Sequence, residues 1–233
     1  MGSRFVFMLC VVSYGINVYA LQHLTWSVWM IPVGLLAWYV ADAQSGLVHM
    51  YMDYRPCTPH VGLKEIFFYQ GSRESAEYLA MRKAAMHRIS FFERVVYDFK
   101  NHHPRPNALG RRNFEQQTVS IAFFVLPFSI VLNLSNHYYP LPDLWLMASV
   151  VFLGGSMLTQ YFHGTLHREQ NPWWVLFLRR TTLLMTPQAH DVHHATLACD
   201  FATISGWSNP LLNRVFLFYR RRGGFDRAGL EPE

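Results

Sequence analysis

RFVFMLCVVSYGINVYALQHLTWSVWMIPVGLLAWYVAD, residues 4–42, has no charged side chain between Arg4 and Asp42, a gap of 37 residues. A helix that crosses a bilayer needs about 20 mostly apolar residues. The gap therefore holds two slightly short spans, with a polar break at Gln22-His23. Charge is also missing for 27 residues between Glu115 and Asp143 and for 24 between Asp143 and Arg168. These gaps predict spans over about 5–21, 25–45, 117–135 and 144–163. Buried helices of a soluble protein seldom go so long without a charge. A signal peptide over residues 5–20 is disfavoured, because another apolar stretch follows at once.

The whole composition agrees once it is divided. The chain has 233 residues, 51% apolar and only 15% charged, against about 25% charged in soluble domains. Mean hydropathy is +0.07, an average over two unlike parts. Few charges and many aromatics exclude a disordered chain. Three cysteines without a CxxC pair exclude a disulfide scaffold. All twenty Lys and Arg avoid the short predicted loops at about 22–24 and 136–143: Arg4 stands alone, eleven lie from Arg55 to Arg112 and eight from Arg168 onward. That is the positive-inside pattern for two helical hairpins with both termini in the cytoplasm. The basic balance then reads as a face toward anionic lipid, and no RNA- or DNA-binding motif accompanies it.

The remaining chain forms a cytoplasmic cap from 50–115 and 164–222, followed by an expected loose tail at 223–233 after Gly223-Gly224. Asn171-Pro172 predicts a helix start. Trp173, Trp174, Phe177 and Leu178 beside Arg179 and Arg180 suit a helix lying at the lipid interface, with an ordinary amphipathic core helix as the alternative. Arg179, Arg180 and Arg220 to Arg222 are candidates to contact lipid phosphate or an acidic carrier; a solvated basic face is the plainer reading. The expectation is one all-α integral membrane domain, a four-helix body of two hairpins carrying the cap.

Twelve histidines stand against fifteen Asp plus Glu. His23 and His137 fall in the short loops and read as solvated. His163 and His167, spaced i, i+4, put two imidazoles on one helical face where the fourth span ends. His190, His193 and His194 form HxxHH, whose rings would converge on one point. His102 and His103 are adjacent and face different ways, which suits two metals, or one metal and one hydrogen bond. His49 closes the second span, and Asp53 at i+4 is either a ligand or the carboxylate that orients one. Ionisable groups clustered at span ends mark function. Eight imidazoles without a Cys motif suit iron, zinc, copper or nickel, and eight suffice for two ions. A haem held by two histidines is an alternative. A transporter would place ligands near mid-membrane, where the spans are almost bare.

Five stretches in order carry a resemblance. They are Asp42-Ala-Gln-Ser-Gly-Leu-Val-His49 with Asp53, Phe99-Lys-Asn-His102-His103, Gln160-Tyr-Phe-His163-Gly-Thr-Leu-His167, Pro187-Gln-Ala-His190-Asp-Val-His193-His194, and Ile204-Ser-Gly-Trp207-Ser-Asn-Pro-Leu-Leu-Asn213. Together they resemble the Kua-type lipid desaturases, which include plasmanylethanolamine desaturase and a plastid trans-3 acyl desaturase. The resemblance runs from residue 42 to about 220. It implies a di-iron centre on His49, His102, His103, His163, His167, His190, His193 and His194, with Asp53 beside them. It further implies O₂ as oxidant, electrons from a cytochrome b5 or ferredoxin type of carrier, and removal of two hydrogens from a lipid chain. In the plasmalogen branch that converts an alkyl ether to a vinyl ether. The chain departs from the family where Arg112 and Ala189 replace histidines, where Met50 replaces an aromatic, and in a longer spacer between His49 and His102. His60 and His87, in the longer segment, read as non-ligands. The rival readings are a hydroxylase on the same centre and a membrane metal- or haem-binding protein without oxygenase activity.

Overall fold

A computed structural model describes residues 2–233. Helices α1 (Gly2–Ala20), α2 (Met30–Tyr54), α7 (Phe114–Tyr138) and α8 (Asp143–Leu166) form the long body. The cap comprises α3 (Leu63–Phe67), α4 (Ala76–His87), α5 (Phe91–His102), α6 (Pro106–Gly110), α9 (Trp173–Arg180), α10 (Pro187–Thr196) and α11 (Asn209–Arg220). No strand occurs among the described residues.

Polar side chains set how the long helices pair. Asn113 and Gln116 form a capping box that starts α7, satisfying backbone N–H groups that would otherwise be orphaned. Arg4 then pairs with Glu115 at 2.6 Å, so α1 and α7 begin together and run parallel. Along their seam Ser13 meets Ser129 at 2.8 Å, Asn17 donates to Ser129, and Asn133 donates to the Ser13 carbonyl. At the other end the Thr25 amide donates to Asp143 at 2.9 Å, which ties the two hairpin loops together. Helices α2 and α8 therefore also run side by side, with Ser156 donating to Gln44 at 2.6 Å.

Three helices are long and apolar enough to cross a membrane: Gly2–His23, Phe114–Tyr138 and Asp143–Leu166. The second expected span fares differently. Helix α2 starts at Met30, not near residue 25, and continues past 45 to Tyr54. Its second half carries buried Asp42, Ser45, His49 and Asp53. The apolar part from Met30 to Ala41 is about 18 Å long, short of a hydrocarbon core of about 30 Å.

Those polar residues of α2 face the C-terminal segment. A Cβ on Gly46 would lie 2.3 Å from Leu212 Cδ1 and 2.9 Å from the Ala202 amide nitrogen. Gly46→Ala is therefore expected to cost about 1–3 kcal/mol through overpacking, and a thermal melt in detergent checks it. An unchanged midpoint would mean that this contact is loose.

Residues 223–233, expected to be loose, are packed. Phe225 stacks on Phe216 at 5.4 Å and packs on Tyr54 at 5.3 Å, and Gly229 is buried against the Tyr54 carbonyl. The buried Lys100 ammonium donates to the carbonyls of Met52, Asp53 and Gly229. It thereby fastens the tail to the end of α2. The glycine pair suggested looseness, and a backbone acceptor leaves no mark in a sequence. On α9, Val175 is buried while Trp173, Leu176 and Phe177 are exposed, so the helix presents an aromatic face outward, unlike an ordinary core helix.

Candidate metal centre

Four helix ends deliver the histidines to one place. His49 and Asp53 come from the last turns of α2, His102 from the last residue of α5, and His163 from the last turn of α8. His103 and His167 sit just past their helices as C-caps. His190, His193 and His194 come from α10, which opens with Thr186 as N-cap and Pro187 in its first turn. Two groups of possible ligand atoms result, each with all atoms within 4.8 Å of one another: His102, His163, His167, His190 and His194, and His49, Asp53, His103 and His193. The eight histidines and Asp53 singled out from the sequence are thus all brought together.

The partition differs from expectation in one respect. The HxxHH triplet does not converge on one point: His190 and His194 join the larger group and His193 the smaller. On a helix, position i+3 lies about 60° to one side of i and position i+4 about 40° to the other, so the three rings fan out. The adjacent pair divides in the same way, His102 to one group and His103 to the other. The groups share a wall, where the His49 and His163 rings are 5.0 Å apart and the His102 and His103 rings 4.2 Å apart.

The donor atoms fit metal ions. Eleven buried side-chain N or O atoms lack a hydrogen-bond partner among the described residues, and nine belong to these groups: both ring nitrogens of His49, both Asp53 oxygens, Nε2 of His102, His167 and His194, and Nδ1 of His163 and His190. Leaving a buried polar atom unpaired costs about 1–3 kcal/mol. An ion takes one ring nitrogen from each histidine, so Nε2 of His102, His167 and His194, one nitrogen of His49 and the Asp53 oxygens are the atoms it would satisfy. Spacing points the same way. His163 Nε2 lies 3.0 Å from His190 Nε2, and His193 Nε2 lies 3.3 Å from His103 Nε2. Two nitrogens each about 2.1 Å from one ion stand about 3 Å apart. Asp53 approaches His49, His103 and His193 at 3.4, 3.4 and 3.3 Å, at the centre of the smaller group.

Hydrogen bonds behind the rings fix their tautomers. His102 Nδ1 donates to the Phe99 carbonyl, and His193 Nδ1 donates to the Cys199 carbonyl at 2.8 Å. Each leaves Nε2 with a free lone pair facing inward. Burial, followed by the charges of neighbouring imidazoles, lowers the pKa of His102, His103 and His190. His167 is lowered to about 3 and His194 to about 4, also chiefly by burial. These rings are neutral at pH 7, the form that binds metal.

The departures from the resemblance lie outside the groups. Arg112 pairs with Asp98 at 3.2 Å, and Ala189 is exposed, so a histidine there would point away from the ligand atoms. His23, His60, His87 and His137 are exposed and outside both groups. Arg179 corrects one expectation. Its guanidinium donates to the Thr165 and Met185 carbonyls, bracing the end of α8, and is not free for lipid phosphate. Arg180 is exposed.

Sequence reasoning missed the part played by Asp42. It is fully buried. One oxygen accepts from the amides of Ile204, Ser205 and Gly206, and the other from the amide and hydroxyl of Ser208. The segment held in this way continues back to Phe201, whose ring lies 4.9 Å from that of His193, and to Cys199, which orients that histidine. The signals available were an acid deep in an apolar helix and its place, with Ile204 to Ser208, in the stretches that carry the resemblance.

Comparison with known proteins now bears on this centre. Residues 86–222 match the family described as the lipid desaturase domain. The chain is also 27% identical over 128 residues to a plasmanylethanolamine desaturase of Myxococcus xanthus, a match covering 53% of this chain and 44% of that protein. It therefore spans less than half the length of that relative. No solved structure matches.

Proposed function

Because the chain belongs to the lipid desaturase domain family, we propose that it is an O₂-dependent di-iron desaturase acting on a lipid chain within the bilayer. The observation that carries this reading is the pair of adjoining buried groups, rich in unpartnered imidazole nitrogens, at one end of an apolar helical body. His102, His163, His167, His190 and His194 would hold one iron, and His49, Asp53, His103 and His193 the other. Iron bound there would supply the oxidising power toward unactivated C–H bonds that no side chain possesses. The overall reaction is R–CH₂–CH₂–R′ + O₂ + 2e⁻ + 2H⁺ → R–CH=CH–R′ + 2H₂O. The electrons come from an external carrier of the cytochrome b5 or ferredoxin type. The favoured substrate is an alkyl ether converted to a vinyl ether, in keeping with the relative's name. Acyl-chain desaturation is the other form of the same reaction.

The chain's own contribution is placement. The Phe99 and Cys199 carbonyls hold protons on Nδ1 of His102 and His193, so both rings present Nε2 in a fixed orientation. Burial of His49, His163, His190 and His193 keeps bulk water from the reacting carbon. Asp53 supplies the one negative charge among the donors, which favours a cation there.

The topology belongs to the same proposal. Helices α1, α2, α7 and α8 make four passes, with the polar half of α2 shielded by the cap. The hairpin loops, Leu21–Trp29 and Tyr139–Pro142, contain no Lys or Arg, so the histidine end and both termini face the cytoplasm. Arg180 and the aromatic face of α9 rest at that interface, where the guanidinium can meet lipid phosphate.

Two measurements test the function. Metal analysis of the purified chain should find two irons and no haem absorption; zinc alone or a bis-histidine haem spectrum refutes it. Cells given alkyl-ether and acyl lipids should accumulate a product lacking two hydrogens. A product that gains oxygen would make the enzyme a hydroxylase.

A further inference from the structure

Between α4, α5, α7 and α8 lies a cavity of about 360 Å³ that the catalytic groups do not line. Its lining is mixed: Arg82, Arg94 and Arg112 contribute charge, and Phe91, Ile121 and Phe124 contribute apolar surface. Phe99 and Gln160 also line it, and both lie close to the histidines. The Phe99 ring is 5.3 Å from that of His49 and 6.5 Å from that of His163. Gln160 precedes His163 by about one turn of α8. One side of the cavity is therefore a single aromatic ring away from the metal ligands.

Charge in the lining is unbalanced. The only carboxylate lining the cavity, Asp98, is paired with Arg112. Arg82 and Arg94 are exposed and make no ion pair among the described residues. They also line an adjoining depression, whose other polar side chains are Lys83 and His87. Beyond the rim the surroundings are apolar. Phe91 packs on Phe123 of α7 at 5.3 Å, and Phe123, Phe124 and Phe128 are exposed on that long apolar helix. A ligand that matches these walls has an anionic head, an apolar chain, and access from the lipid-facing side of α7.

We propose that this cavity seats the lipid: Arg82, Lys83 and Arg94 take the phosphodiester of a glycerophospholipid, and one chain runs past Phe91 and Phe124 to Phe99. The fate of the carbon that passes Phe99 rests on the desaturase reading, whereas occupancy of the cavity does not. Binding is thus the quantity to measure. The full chain is placed in nanodiscs with a phosphatidylglycerol carrying a photoreactive diazirine in mid-chain, and adducts are mapped by mass spectrometry. Adducts are expected on Val95, Ile121 and Phe124. The Arg82→Glu/Arg94→Glu double variant should reduce them at least about tenfold with an unchanged thermal melt. Diacylglycerol bearing the same diazirine chain should label weakly. Ile121→Trp, which fills the cavity without altering its charge, should abolish the internal adducts.

The assignment is overturned if diacylglycerol labels these positions as strongly, or if adducts form only on the outer faces of the long helices. It is also overturned if the charge-reversed variant keeps its adducts but is reduced more slowly by an acidic carrier protein, since the arginines then serve a protein partner. Labelling requires no turnover. A labelled cavity without desaturated product would refute the reaction and leave the lipid seat standing, and a desaturated product without labelling would do the reverse.

Discussion

An Asp53→Asn variant is expected to retain its fold and one iron, lose the other, and fall in turnover by more than about 100-fold. The side chain is fully buried and lies 3.3–3.4 Å from ring nitrogens of three histidines. Asparagine keeps the shape and removes the charge. Two roles for the carboxylate give different results. If Asp53 only orients a neighbouring imidazole, the loss should be about 10–100-fold with both irons retained. If it binds metal, the smaller group is left with three neutral imidazoles and its ion is lost. Iron content per chain therefore decides between the roles. The larger group, which lacks Asp53, provides an internal control. Without metal, the variant should melt no lower than the parent, because a buried unpaired carboxylate costs more than its amide. A variant that keeps two irons and full turnover would remove Asp53 from the centre.

Asp42→Asn is expected to produce the largest loss of stability. The carboxylate accepts five hydrogen bonds from one short segment, and all five donors lie more than 160 residues from it in sequence. In asparagine one oxygen becomes an amino group that faces N–H or O–H donors. Hydrogen bonds to a charged group contribute about 1.5–3 kcal/mol each. Losing the equivalent of one or two, about 3 kcal/mol, should lower the melting temperature by about 6–12 °C for a chain of this size. Iron should be lost in step, because the same segment supplies the Cys199 carbonyl behind His193. A melt within a degree or two of the parent, with iron intact, would show that the segment is held by its apolar contacts alone.

These two acids mark where the sequence stopped being legible. The charge gaps located α1, α7 and α8 to within a few residues, because a long apolar helix is specified locally. The histidines were legible because eight imidazoles near helix ends have no ordinary packing role. Asp42 and the second half of α2 were not legible, because their partners lie in residues 200–212 and no periodicity within α2 announces them. The division of HxxHH between two groups was also hidden. Spacing fixes directions around one helix, but which group each ring joins depends on α2 and α5. Arg179 looked like a surface cation, yet its acceptors are backbone carbonyls, which every sequence contains. The same is true of Lys100 and the tail.

The smaller group draws His49 and Asp53 from α2, His103 from the end of α5, and His193 from α10. During synthesis these parts reach the membrane at different times. At about 5–20 residues per second, His193 emerges on the order of ten seconds after His49. Until then His49 and Asp53 lack the His193 ring that faces them in the folded chain. A group drawn from residues so far apart in sequence is complete only once α10 has docked against α2 and α5.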